Sequence, residues 1–131
     1  MKTLTVNKKE YKVEYFVEAS LNVECLKDIL SMLYYVSLAE TTQEKKQVIS
    51  KMVSDIPQTT INVLYAGLLE HNEGITEEDA KQVVKEYLIE NKGTGNGSYY
   101  ALLTELIEIM SDDGFFDLVG VKNMISKNKK H

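Results

Sequence analysis

A chain of 131 residues with 44% apolar and 27% charged side chains has the size and balance of one globular domain. A single Cys excludes an internal disulfide framework and makes a reducing compartment the expectation, and no apolar run approaches the roughly 18 residues of a membrane span. The 15 basic residues are all Lys and face 20 Asp and Glu, and a net charge of −5 without Arg argues against a nucleic-acid binder.

Met1-Lys2-Thr3-Leu4 leads straight into alternating, charged sequence, so no signal peptide is expected. Residues 1–16 read as a β-hairpin: Leu4, Val6, Tyr11, Val13 and Tyr15 alternate with Thr3, Thr5, Lys12 and Glu14. Asn7-Lys8-Lys9 lies between the strands, and Asn tolerates the positive φ of a tight turn. A lone hairpin is marginal in water, so its apolar face is expected to rest on helices.

Everything after Phe16 reads as helical. A first helix over 18–38 carries Leu21, Cys25, Ile29, Met32 and Val36 as one apolar row, widened by Leu26, Leu30 and Leu33. Thr41 with Glu44 suggests a capping box for a second helix to about Ser54, with Val48, Ile49, Met52 and Val53 inward. Pro57 fits the first turn of a third, which carries Ile61, Leu64, Tyr65, Leu68 and Leu69 and ends near His71-Asn72-Glu73-Gly74. Thr76 followed by Glu77-Glu78-Asp79 starts a fourth, with Val83, Val84, Tyr87, Leu88 and Ile89 inward.

The loop Gly93-Thr94-Gly95-Asn96-Gly97-Ser98 ends on the cap of a fifth helix, Tyr99 to Met110, with Leu102, Leu103, Leu106, Ile107 and Met110 apolar. Asp112-Asp113-Gly114 breaks it before a last helix from Phe115 to about Ile125. The expected fold is therefore mainly α: an N-terminal β-hairpin followed by a compact bundle of five or six helices. One domain is expected over 1–126, with the hairpin at 1–16, the bundle at 18–125 and a flexible Lys-rich tail at 127–131.

The motifs that would carry chemistry are incomplete. Gly93-x-Gly95-x-Gly97 follows no strand, lacks Gly-Lys-Ser/Thr, and has Ser98 where a dinucleotide fingerprint needs its third glycine. Calcium loops aligned on Gly74 or Gly114 begin on Leu69 or Ile109 and end on Ala80 or Gly120, which loses both end ligands. His71 and His131 with Cys25 do not make a zinc site, and Cys25 as a nucleophile has only His71 for a partner. The acids at 77–79 and 112–113 stand at helix ends, where capping explains them. No enzymatic activity, metal or cofactor is expected. The adjacent aromatic pairs Tyr34-Tyr35, Tyr99-Tyr100 and Phe115-Phe116 supply apolar helix surface, either for the bundle or for another protein.

The order of segments resembles the phage tail assembly chaperones of long-tailed phages and prophages of low-GC Gram-positive bacteria. Leu4-Thr5-Val6-Asn7-Lys8-Lys9-Glu10-Tyr11 is similar to the V-N-G-K-E-Y hairpin that opens many of them, with Lys8 where the family often has Gly. Ile56-Pro57-x-Thr59-Thr60, Tyr65 through Asn72, Thr76 through Ala80, and Asp113 through Gly120 resemble the family's later segments. The resemblance spans nearly the whole chain and is one of segment patterns, without a catalytic signature. It implies a non-enzymatic protein of the host bacterial cytoplasm, absent from the finished virion. Such a protein binds the long helical tape-measure protein, keeps it soluble and helps recruit tail-tube protein around it.

Helix-in-groove contact is the natural binding mode, and many copies on one client would gain from self-association. Neither nucleic acid nor membrane is an expected partner. The family supplies no binding residues. From position in the chain, the candidate client-binding residues are Phe115, Phe116, Leu118, Val119 and Met124, which follow a glycine break near the end of the chain. A packed closing helix explains the same pattern. Lys127-Asn128-Lys129-Lys130 is compatible with the slippery codons of a programmed frameshift, as the family's longer second forms would require. The alternative to a chaperone is a small regulatory adaptor that binds one compact protein partner.

Overall fold

The alternating N terminus folds into an antiparallel pair, β1 (Lys2–Val6) and β2 (Lys9–Val13), with Leu4 opposite Tyr11 and Val6 opposite Lys9. The computed structural model describes the backbone of residues 1–38 and 42–120, and the side chains of 1–31 and 54–120. The connection is tighter than the three residues expected. Asn7 and Lys8 alone form it, with φ of +51° and +63°, and Lys9 already belongs to β2. Positive φ at both central residues matches the right-handed twist of the strands, so a lysine is held where glycine would be unstrained. Leu4, Val6, Val13 and Tyr15 are buried on the face the alternation assigns to them.

Six helices follow among the described residues: α1 (Val17–Ser20), α2 (Val23–Leu38), α3 (Thr42–Leu68), α4 (Glu77–Glu90), α5 (Tyr99–Asp112) and α6 (Phe115–Leu118). The expected 18–38 helix is split. The Asn22 side chain accepts a hydrogen bond from the Cys25 N–H at 2.8 Å, which makes Asn22 the cap of α2 and leaves α1 as a single turn. Leu21 at the break is 69% exposed instead of inward, and Leu30 is also exposed.

The expected boundary at Pro57 is absent, and α3 runs through it. Proline removes one interior hydrogen bond, but the residues after it, Thr59, Thr60, Val63, Leu64, Ala66 and Leu68, are all buried. Packing along α3 holds it as one helix: α1, α2, α4, α5 and β2 all lie against it. The Thr60 hydroxyl donates to the Ile56 carbonyl at 2.7 Å, beside the lost bond.

The later elements follow the sequence closely. Thr76 and Asp79 form a reciprocal capping box at α4, and Ser98 accepts from the Ala101 N–H at α5. Val83, Val84 and Tyr87 face the core, but Ile89 does not and is 64% exposed. The glycine loop is closed by hydrogen bonds, with the Thr94 hydroxyl and N–H donating to the Asn91 carbonyl at 2.7 and 3.0 Å. The closing helix expected from Phe115 to about Ile125 stops at Leu118: Val119 is its C-cap, and Gly120 takes the left-handed φ of +81° that ends a helix, while residues 121–125 lie outside the described residues. So do the tail, the Thr41 and Glu44 cap and the inward faces assigned to Met32, Leu33, Val36, Val48, Ile49, Met52 and Val53.

Candidate functional site

The hairpin is locked to α3 by one tyrosine. Tyr15 is fully buried, and its hydroxyl donates to the Val63 carbonyl at 2.8 Å. Its ring meets Phe115 edge-on, with centroids 5.9 Å apart. Gly67 makes this approach possible: a Cβ there would lie 2.7 Å from Tyr15 Cζ and 2.8 Å from Val13 Cγ1. The Glu14 N–H donates to the Gly67 carbonyl at 2.9 Å. The Asp113 carboxylate accepts from the Tyr15 N–H at 2.9 Å and from the Met1 amino group, tying the start of α6 to the end of β2.

Burial governs the two titratable groups of this seam. It is the main reason that the Tyr15 hydroxyl titrates well above the usual tyrosine range, with Cys25 and Asp113 adding to it. The Cys25 thiol is pushed up to about 12, first by burial and then by Asp28. A thiol so shifted stays protonated at neutral pH, the reverse of an activated nucleophile. His71, its only sequence candidate for a base, instead meets Glu14, with Nε2 2.6 Å from Oε1. Among the described residues, no group of three or more His, Cys, Asp or Glu is arranged to hold a metal ion. No described helix is long and apolar enough to cross a membrane.

What the surface offers is apolar area. The sequence-predicted residues are placed unevenly: Phe115 is 1% exposed and belongs to the core, while Phe116 and Val119 are half-buried against it. Leu118 is 46% exposed, and Met124 lies outside the described residues. Phe116 stacks edge-on to Phe115 with centroids 6.5 Å apart. In this conformation Leu118 is thus the most accessible of the described four, and Phe115 has no free face for a partner.

A second apolar edge, which the helical reading of 18–38 concealed, follows β2. Phe16, Val17, Leu21 and Val23 are all exposed, the last two at 69% and 63%. They fall within one eight-residue stretch that contains α1 and the cap of α2. Asn22 is the signal that could have shown this, since a cap residue interrupts the helix and rotates Leu21 out of the row. Because Tyr15 is bound to Asp113 and Phe115, this edge begins beside α6.

Two clefts flank α4. One, of about 340 Å³, lies on the hairpin side, with Lys9 and Tyr11 across from Glu73, Asp79 and Glu86. The other, of about 620 Å³, has Ile61, Leu88, Ile89 and Tyr99 on its walls with Lys81, Lys85 and Lys92. The chain matches no family model, no curated protein and no solved structure.

Proposed function

We propose that the protein is a non-enzymatic phage tail assembly chaperone that binds the tape-measure protein in the host cytoplasm, keeps it soluble and helps recruit tail-tube protein. The observation that carries this reading is the apolar edge of Phe16, Val17, Leu21 and Val23 beside α6. A small acidic chain leaves four large apolar side chains exposed in eight residues. Exposed apolar side chains so closely spaced suit contact with another protein, and an apolar helix is a natural occupant. The segment resemblance, from the Val6-Asn7 hairpin to Asp113–Gly120, names the client. Phe116, Leu118, Val119 and Met124 extend the proposed surface toward the C terminus, and Phe115 supports it from below.

Co-expression with the tape-measure protein of the same genome tests this. The long protein is expected to become soluble and to co-purify with several copies of this chain. Replacing Leu21 and Val23 by Ser should abolish capture while leaving unfolding cooperative. If the tape-measure protein precipitates as it does alone, the reading fails. A single tight complex with some other compact protein would favour a regulatory adaptor.

A further inference from the structure

The 620 Å³ groove beside α4 has a charge opposite to that of the molecule. Three ammonium groups, Lys81, Lys85 and Lys92, stand around it with one carboxylate, Glu78, in a chain of net charge −5. None of the three lysines has an ion-pair or hydrogen-bond partner for its side chain among the described residues. Three of the five acids of α4 are engaged elsewhere. Glu90 accepts from the Asn7 N–H, Glu86 accepts from Gln82 at 3.4 Å, and Asp79 closes the capping box. Asp79, Glu86 and Glu90 thus lie toward the hairpin, while Lys81, Lys85 and Lys92 line the open groove with Glu78 alone opposing them in charge.

The floor between the lysines is apolar. Leu88, Tyr99 and Ile61 are half-buried, and Ile89 stands 64% exposed between Lys85 and Lys92 in sequence. Lys81, Lys85 and Leu88 follow the i, i+4, i+7 spacing of one helix face, and Lys92 lies just beyond the C-cap at Asn91. The row spans roughly three turns, or about 16 Å at the helical rise. An apolar stripe bordered by cations at helical spacing is complementary to a second helix with an apolar stripe bordered by carboxylates.

We infer that this groove docks an amphipathic helix whose apolar stripe is flanked by Asp or Glu, supplied by a partner protein. Ile89 and Leu88 take the stripe, and Lys81, Lys85 and Lys92 pair with the flanking acids. The assignment does not depend on the tail-assembly reading, whose apolar edge lies on other residues.

Two synthetic peptides of 18 residues test it, sharing one leucine and alanine stripe and flanked by Glu in one and Lys in the other. Fluorescence anisotropy with the full chain should show the Glu peptide binding about tenfold tighter at low salt, with the gap closing as salt rises. K81E/K85E should invert the preference, and Ile89→Ser should weaken the Glu peptide without changing cooperative unfolding. Equal binding of the two peptides, binding of neither, or a preference that K81E/K85E leaves intact would overturn the proposal. Sedimentation of the chain alone supplies the remaining arm. Self-association that K81E/K85E abolishes would give the groove to a second copy and overturn the partner assigned here.

Discussion

At the seam between β2 and α3, Tyr15, Val63, Gly67 and Phe115 pack without exposed apolar surface, and the buried hydroxyl has its acceptor. On the open side of α4, Ile89 stands exposed among three lysines that have no ion-pair partner among the described residues. Both regions are made of aliphatic and aromatic side chains with a few polar groups. They differ in completeness. In the seam each group is matched by another from the same chain, so substitutions there should be read out as stability. In the groove, and along Phe16–Val23, no matching groups are found among the described residues, so substitutions should be read out as binding.

The largest effect expected in the seam is that of Gly67→Ala. Its methyl would overlap Tyr15 and Val13, and overpacking of this kind costs about 3 kcal/mol. Denaturant unfolding should show the midpoint falling accordingly, and an unchanged midpoint would mean that the hairpin does not rest on α3 as described.

Alkaline titration comes next. Cys25 and Tyr15 both have folded-state pKa values above their usual ones, so the folded chain holds protons that the unfolded chain releases. That stabilisation is full below about pH 9, falls as pH rises from there with the Cys25 thiol, and falls more steeply above about pH 10 as Tyr15 joins it. The slope should be roughly 1 kcal/mol per pH unit for each group. In Cys25→Ala the decline should begin one pH unit later, near the tyrosine's ordinary range.

Tyr15→Phe removes the bond to the Val63 carbonyl and should cost about 1 kcal/mol. Lys8→Gly should work the other way, gaining about 1 kcal/mol by relieving a lysine held at φ +63°. K81E/K85E sharpens the contrast, because surface charges away from packed features should change stability by less than about 0.5 kcal/mol. A large loss in that variant would place the groove in the same class as the seam.

The residues that stabilise locally were legible in the sequence. Alternation identified the buried face of the hairpin, and Thr76 and Ser98 marked the starts of α4 and α5 because capping depends on neighbours a few positions away. What depends on distant partners was not. Pro57 reads as a helix start until α2, α4 and α5 are known to pack along the helix that runs through it. Ile89, by contrast, does not belong with the inward row of α4: two residues past Tyr87 it lies about 200° around the helix from it, so the spacing already places it outside. Phe115 and Phe116 look equivalent in sequence, but the buried Tyr15 selects Phe115 for the core. Asn22 caps α2 within a long apolar row, and a single cap residue is a weaker signal than the row that runs past it on either side.

The most direct test of the account is amide hydrogen exchange on the chain alone and in complex with the co-expressed tape-measure protein. The account predicts new protection over residues 16–26 and at α6, with exchange at Val13, Tyr15 and 63–68 unchanged because the seam is already closed. No complex at all, or a complex that leaves 16–26 as exposed as before, would contradict it.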